Sequence, residues 1–214
     1  MRKIHIVILL LILSIPVVYA QNNLKFERYT INSGLSQSSV TSITQDINGF
    51  IWIGTQDGLN KFDGYEFTVY KSTGKENAVL SGNYINALFK SSEHLIYIAT
   101  SKGVDVYDPV LDEIAPLKAN SSSISNQSIT CVSEDRHKNL YFGTNGDGIY
   151  KLEYATKMLS KYSMKSLDKN SSDDITSICS IQEGGFLIGC ANFGVWKTEN
   201  FKSLKRLETQ DYNE

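Results

Sequence analysis

The chain is short of cysteine, short of basic charge and, past its first twenty residues, without any long apolar run. Each shortage removes a class of protein. Three cysteines, Cys131, Cys179 and Cys190, in 214 residues are too few for a disulfide-framework domain. No CxxC or Cys/His spacing points to a zinc site. Lys and Arg number 21 against 23 Asp and Glu; with Arg2 and Lys3 set aside, the remainder nets −4. No basic block stands anywhere, which argues against nucleic acid as a partner. The single apolar run, Ile4 to Val18, contains Pro16 and falls short of the roughly twenty residues of a spanning helix. With Arg2 and Lys3 before it and Val18-Tyr19-Ala20 after it, the run predicts a secretory leader over 1–20, cleaved to start the mature chain at Gln21. No Cys follows the leader, so a lipid anchor is not expected. Paired carboxylates, a catalytic triad and a phosphate-cradling glycine loop are missing too, and no cofactor or metal is expected.

What is present is repetition. FIWIGTQDGLNKFDG from Phe50, IYIATSKGVDVYD from Ile96, LYFGTNGDGIYKLE from Leu140 and FLIGCANFGVWKTE from Phe186 are degenerate copies of one hairpin: an apolar run, a short turn ending in Gly, a second run. The first apolar residues of the units, Val40, Ile85, Ile129 and Ile175, lie 45, 44 and 46 residues apart. A period near 45 with β-rich content marks a solenoid or propeller. Each unit divides into four short strands. The first are VTSIT, INALF, ITCVS and ITSIC; the hairpin supplies two more; the fourth are FTVYK from Phe67, a run around Ile114 to Leu117, MLSKY from Met158 and SLKRL from Ser203. Four strands per unit predict an all-β fold, a β-propeller of four-stranded antiparallel blades with about four blades in an incomplete ring. The expected divisions are the leader 1–20, an N-terminal closing strand 21–33, blades at 34–80, 81–124, 125–170 and 171–208, and a short end 209–214.

Aligning the copies assigns most residues to architecture. Trp52, Tyr97 and Tyr141 share one slot, with Leu187 in the fourth copy, and recurrence once per blade predicts interblade packing rather than a sugar-stacking platform. Gly54, Ala99, Gly143 and Gly189 share a second slot; Gly58, Gly103, Gly148 and Gly194 share a third, where a turn needs them. Cys131 falls in a slot filled elsewhere by Ser42, Ala87 and Ser177, as a small buried filler. Cys190 replaces Thr55, Thr100 and Thr144. Cys179 lies on the strand before it, across a turn at 182–185, which leaves a disulfide between the two open. His94 and His137 fall in first-to-second-strand turns with no recurring acid or nucleophile, and are read as structural. One carboxylate at Asp46 is too few for calcium.

Phe26-Glu27-Arg28-Tyr29 resembles the fourth-strand sequences. The fourth unit already has its own fourth strand, so this spare strand has no blade to complete, and the expectation is at least one further blade past Glu214. An isolated chain of this kind exposes two blade faces and is expected to self-associate, a homodimer being one form.

At GLSQSSVTSITQDINGFIWIGTQDGLNKFDG, 34–64, the chain resembles the two-component regulator propeller repeat, with its Gly-Leu-Ser opening, Val-Thr-Ser-Ile strand, Asp-x-x-Gly turn, Ile-Trp-Ile-Gly-Thr and Gly-Leu-Asn-x-Phe-Asp. Later units drift, Tyr97 and Tyr141 standing for Trp52 and Ala99 for Gly54. The resemblance implies the exported, periplasmic sensor part of a hybrid two-component system, responsive to a glycan or oligosaccharide. The kinase modules that the family carries have no counterpart here, so no enzyme activity is carried over.

In such a blade the fourth-to-first loops and second-to-third turns share one face. That placement selects Gln56, Asp57, Tyr84, Ser101, Lys102, Asn126, Asn145, Asp147, Asn192 and Phe193 as ligand-binding candidates. Amides, hydroxyls and carboxylates with a few aromatics suit a polar ligand such as an oligosaccharide, although the same residue types also form ordinary turns. Two rival readings stay open: an exported propeller enzyme acting on glycans, and a protein-interaction scaffold.

Overall fold

The computed structural model describes residues 25–73, 79–120, 124–181 and 184–207. The expected leader, turn residues 182–183 and the end at 209–214 lie outside the described residues. Sixteen strands form four antiparallel four-stranded sheets in sequence order. The first holds β1 (Val40–Gln45), β2 (Ile51–Thr55), β3 (Gly58–Phe62) and β4 (Phe67–Tyr70). The second holds β5 (Ile85–Lys90), β6 (Ile96–Thr100), β7 (Gly103–Asp108) and β8 (Glu113–Pro116). The third holds β9 (Ile129–Glu134), β10 (Leu140–Thr144), β11 (Ile149–Leu152) and β12 (Leu159–Tyr162). The fourth holds β13 (Ile175–Ser180), β14 (Phe186–Cys190), β15 (Gly194–Thr198) and β16 (Lys205–Arg206). The first strands lie side by side, β1 on β5, β5 on β9 and β9 on β13. These are propeller blades, and among the described residues they do not close into a ring.

Register makes the shared slots physical. Ser42 pairs Gly54, Ala87 pairs Ala99, Cys131 pairs Gly143 and Ser177 pairs Gly189. The glycines are small because the next blade needs the room. A Cβ on Gly54 would lie 2.6 Å from Ile85 Cγ2, and one on Gly143 would lie 2.8 Å from Ile175 Cγ2. The aromatic slot packs forward across the same interface. Ring centroids are 4.2 Å apart for Trp52 and Tyr107, 6.1 Å for Tyr97 and Phe142, and 4.3 Å for Tyr141 and Phe186. Side chains close the inner end of each seam: Thr41 Oγ1 donates to Ile85 O at 2.6 Å, Asn86 Nδ2 to Ile129 O at 2.7 Å and Thr130 Oγ1 to Ile175 O at 2.6 Å.

The turn before β2 explains the Asp-x-x-Gly signature. Asp46 Oδ1 accepts from Asn48 N and Phe50 N, while Oδ2 accepts from Trp52 Nε1 at 2.8 Å. One buried carboxylate thereby shapes the turn and satisfies the indole. Asp135 repeats this in the third blade, accepting from His137 N, Asn139 N and Tyr141 OH. These bonds hold its carboxyl below the usual range against the opposing pull of burial. A further clamp crosses the first seam: Lys61 Nζ donates to Asp112 Oδ1 at 2.7 Å and to Tyr107 OH at 3.3 Å, and stands 4.5 Å from the Phe50 ring centroid.

The closing strand expected over 21–33 pairs with none of the four sheets among the described residues: Ile31–Ser33 make a 3₁₀ turn, and Tyr29 packs its ring on Phe62 and Phe67. A disulfide between Cys179 and Cys190 is not formed. Cys179 pairs with Leu187 and Cys190 with Ile175, so the two cysteines are offset by three residues along β14, about 10 Å at strand spacing. The fourth strand expected from Ser203 shortens to Lys205–Arg206. A short helix, α1 (Met164–Leu167), also stands in the loop before the fourth blade, its buried Met164 filling the third interface.

Buried polar pairs tie each of the first two blades to the loop that enters it. Asn60 Oδ1 accepts from Ser36 N at 2.8 Å and Asn60 Nδ2 donates to Ser36 Oγ at 2.9 Å. In the second blade Asp105 stands in that slot, accepting from Ser81 N at 2.8 Å and Ser81 Oγ at 2.6 Å. Burial pushes the Asp105 carboxyl above its usual range, against the two bonds from Ser81. An Asp whose folded pKa is raised contributes less stability as pH climbs from the unfolded value through the folded one. Asp105→Asn reproduces the Asn60 arrangement without a buried charge. It is expected to raise Tm at pH 7 by a few degrees and to flatten the pH dependence of stability on the alkaline side of the ordinary Asp value of about 4. Thermal melts across that range check this; an unchanged pH slope would contradict it.

Candidate functional site

The face carrying the second-to-third turns is built by a repeated clamp. Thr55 Oγ1 donates to Gly58 O at 2.9 Å and accepts from Asp57 N at 3.1 Å. Thr100 does the same with Gly103 O and Lys102 N, and Thr144 with Gly148 O and Asp147 N. Cys190 lacks a competent hydroxyl; there Phe193 N bonds to Cys190 O, and Asn192 takes a left-handed φ of 63°. The turn glycines also adopt positive φ, 127° at Gly58 and 134° at Gly103.

Loops entering from the preceding blade are stitched to both neighbours. Gly58 N donates to Asn83 O at 2.8 Å and Ser72 N to Asn83 Oδ1 at 2.6 Å, both from the first blade, while Ser101 N of the second blade donates to Tyr84 O at 3.0 Å. The third seam repeats this, Gly148 N donating to Asp173 O and Ala191 N to Asp174 O.

Four of the ten candidates come together at the first seam. Gln56, Tyr84, Ser101 and Lys102, with Ser72, Thr73, Gly82 and Asn83, line an open groove of ≈ 470 Å³ between the first two blades. Tyr84 is 41% exposed, its ring available to solvent. The other six are spread around the face. Asp57 pairs with Lys71 at 2.5 Å. Asp147 binds Lys161 and accepts from Tyr150 OH at 2.5 Å; its carboxyl is held below the usual range by Lys161 first and Tyr150 second, while burial and then Asp147 push Tyr150 up to about 12. Asn126, with φ 62°, bonds its N–H to Lys102 O across the second seam. Asn145 N bonds to Ser128 O, and Asn192 and Phe193 stand exposed on the fourth blade. Ser72, Thr73 and Gly82 were not selected from sequence, because their place in the groove depends on how the loop folds back. His94 and His137 lie in the opposite turns, their N–H groups bonded to Ser91 O and Asp135 Oδ1.

The groove offers amide, hydroxyl and ammonium groups beside one aromatic ring. Groups of those types can hydrogen-bond to and stack on a polar ligand.

Residues 34–57 and 123–146 match the family model described as two component regulator propeller. The chain carries two-component regulator propeller repeats. Over 83 residues, 38% of this chain, it is 43% identical to Histidine kinase P4 of Formosa agariphila, of which that stretch is 6%. An extracellular domain assigned to a hybrid two-component system of B. thetaiotaomicron shares 29% identity over 85% of this chain and 26% of that one, with a TM-score of 0.76. A second extracellular domain from the same organism, assigned to a one-component system, shares the fold at 20% identity and a TM-score of 0.67, over 85% of this chain and 28% of that one. The chain thus spans a small part of the relatives it matches. No described helix is long and apolar enough to cross a membrane.

Proposed function

We propose that this regulator propeller segment is an exported, periplasmic ligand-sensing module of a two-component system, and that the groove at the first seam receives a polar ligand of the oligosaccharide class. The observation that carries the reading is convergence: Gln56, Tyr84, Ser101 and Lys102 come from three different loops and turns of two blades into one groove. Amide and hydroxyl donors with an exposed tyrosine face suit sugar hydroxyls and the apolar face of a pyranose. Similarity to extracellular sensor domains supports the sensory role and the exported location. A signal peptide at 1–20 would deliver it. The module itself would bind without turnover, ligand occupancy shifting the population of signalling states, with further blades or a second chain as its structural partners.

Calorimetric titration against a panel of neutral and acidic oligosaccharides tests this. One member is expected to bind, and Tyr84→Ala is expected to weaken it up to about tenfold, the stacking loss being on the order of 0.5–1.5 kcal/mol. Tyr84 is exposed, so the fold should melt unchanged. Equal affinity of wild type and Tyr84→Ala would move the site elsewhere, and turnover of any glycan would favour the enzyme reading.

A further inference from the structure

Slots filled alike in every blade are set by the fold; a residue unlike its counterparts needs another reason. Three such residues belong to the second blade and the loop that enters it. Gly82 stands where the other entering loops have Gln37, Asn126 and Ser172, and Tyr84 where they have Ser39, Ser128 and Asp174. Lys102, just before the turn glycine, is a cation at the position that holds Asp57, Asp147 and Phe193 in the other blades. All three line the groove at the first seam. Gly82 is not needed for a left-handed backbone. A Cβ there would lie 3.2 Å from Ser101 Oγ and 3.4 Å from Lys102 Cβ, so a side chain would crowd the two groups the groove presents. Charge sets this turn apart as well. Asp57 is paired with Lys71 and Asp147 with Lys161, which leaves the turns of the first and third blades neutral. Lys102 is exposed and makes no ion pair among the described residues. No carboxylate stands among the described residues that line the groove.

We infer that the groove selects a saccharide carrying an anionic substituent, a carboxylate or a sulfate ester, with the anion held by the Lys102 ammonium and a sugar ring lying on Tyr84. The inference rests on the reading of the groove as a saccharide site and adds the sign of the ligand's charge. A lysine ammonium is a compact point charge and not a planar fork, so it accepts either anion. A neutral sugar makes no such pair, and a cationic one is repelled. Gln56 and Ser101 are left for sugar hydroxyls. Because Lys102 is exposed, the preference is modest: about fivefold over a neutral counterpart at low salt, shrinking as salt screens the pair.

Matched trisaccharides test this by calorimetric titration: galactotriose, cellotriose and mannotriose, each beside its uronate and its sulfated counterpart. An anionic member is expected to bind about fivefold more tightly than its neutral twin at low salt and to lose most of that advantage near 1 M salt. Lys102→Met should bring the two level, and Lys102→Arg should keep the preference. Lys90→Met removes a cation at the other end of β5 and should change nothing. Among the described residues Lys102 is hydrogen-bonded through its main chain, its N–H donating to Thr100 Oγ1 and its carbonyl accepting from Asn126 N, so Lys102→Met should melt as the wild type does. A neutral twin that binds as tightly as the anionic member overturns the inference and leaves the groove as a saccharide site. A preference that survives Lys102→Met also overturns it, because the anion is then held elsewhere. If no trisaccharide of any kind binds, the saccharide reading fails and the inference fails with it.

Discussion

Trp52→Ala should destabilise the fold by about 3–5 kcal/mol, the range for deleting a large buried aromatic. Trp52 is fully buried, packs on Tyr70 and Tyr107 and donates its indole N–H to Asp46. Truncation therefore opens a cavity at the first seam and also leaves a buried carboxylate oxygen short of a donor, a cost of about 1–3 kcal/mol by itself. Trp52→Phe separates the two effects, keeping most of the packing while losing the bond. Leu187→Ala is the internal control: it occupies the same slot in the fourth blade, half-buried and, among the described residues, with no following blade over it. Its cost should be less than half that of Trp52→Ala in urea denaturation at low protein concentration. Equal costs would mean that the slot matters within each sheet and not between sheets.

Gly54→Val is the second large effect. A Cβ there falls 2.6 Å from Ile85 Cγ2 and 3.0 Å from Ile85 Cβ, so the first two blades must separate or Ile85 must leave its rotamer. Overpacking of this kind costs about 1–3 kcal/mol or more. The double substitution Gly54→Val with Ile85→Ala should recover part of the loss, a coupling that neighbours show and distant sites do not. Additive costs in the double-mutant cycle would disprove the knob-and-socket account. Ala99 occupies the same slot in the second blade, which says that one methyl is tolerable where the backbone spacing allows it.

The slots were legible in sequence because each must satisfy the same neighbour every 45 residues or so: a glycine under an isoleucine, an aromatic over the next sheet, a threonine closing a turn. What escaped was whatever depends on exact register and side-chain placement and not on a recurring slot. Lys61 reaches Tyr107 and Asp112 across 46 and 51 residues, a spacing no local pattern reveals. The role of Asp46 was hidden because one carboxylate in a turn looks like a turn former, and only the position of the indole shows the second bond. A hairpin brings the strands of Cys179 and Cys190 together, which left their pairing open in sequence; register along the strands decides which residues meet. Six of the ten candidates share the turn face with the groove without entering it, since topology selects a face and loop conformation selects the place on it.

The loop at Asn83 and Tyr84 is bonded backward to Gly58 and Ser72 and forward to Ser101, so it belongs to two sheets at once. A molecule held by Tyr84 cannot displace that segment without lengthening a bond to one blade or the other. If the groove takes a ligand as proposed, its occupancy and the angle between the first two blades would be linked, and by reciprocity a change in that angle would alter the affinity of the groove by the same free energy.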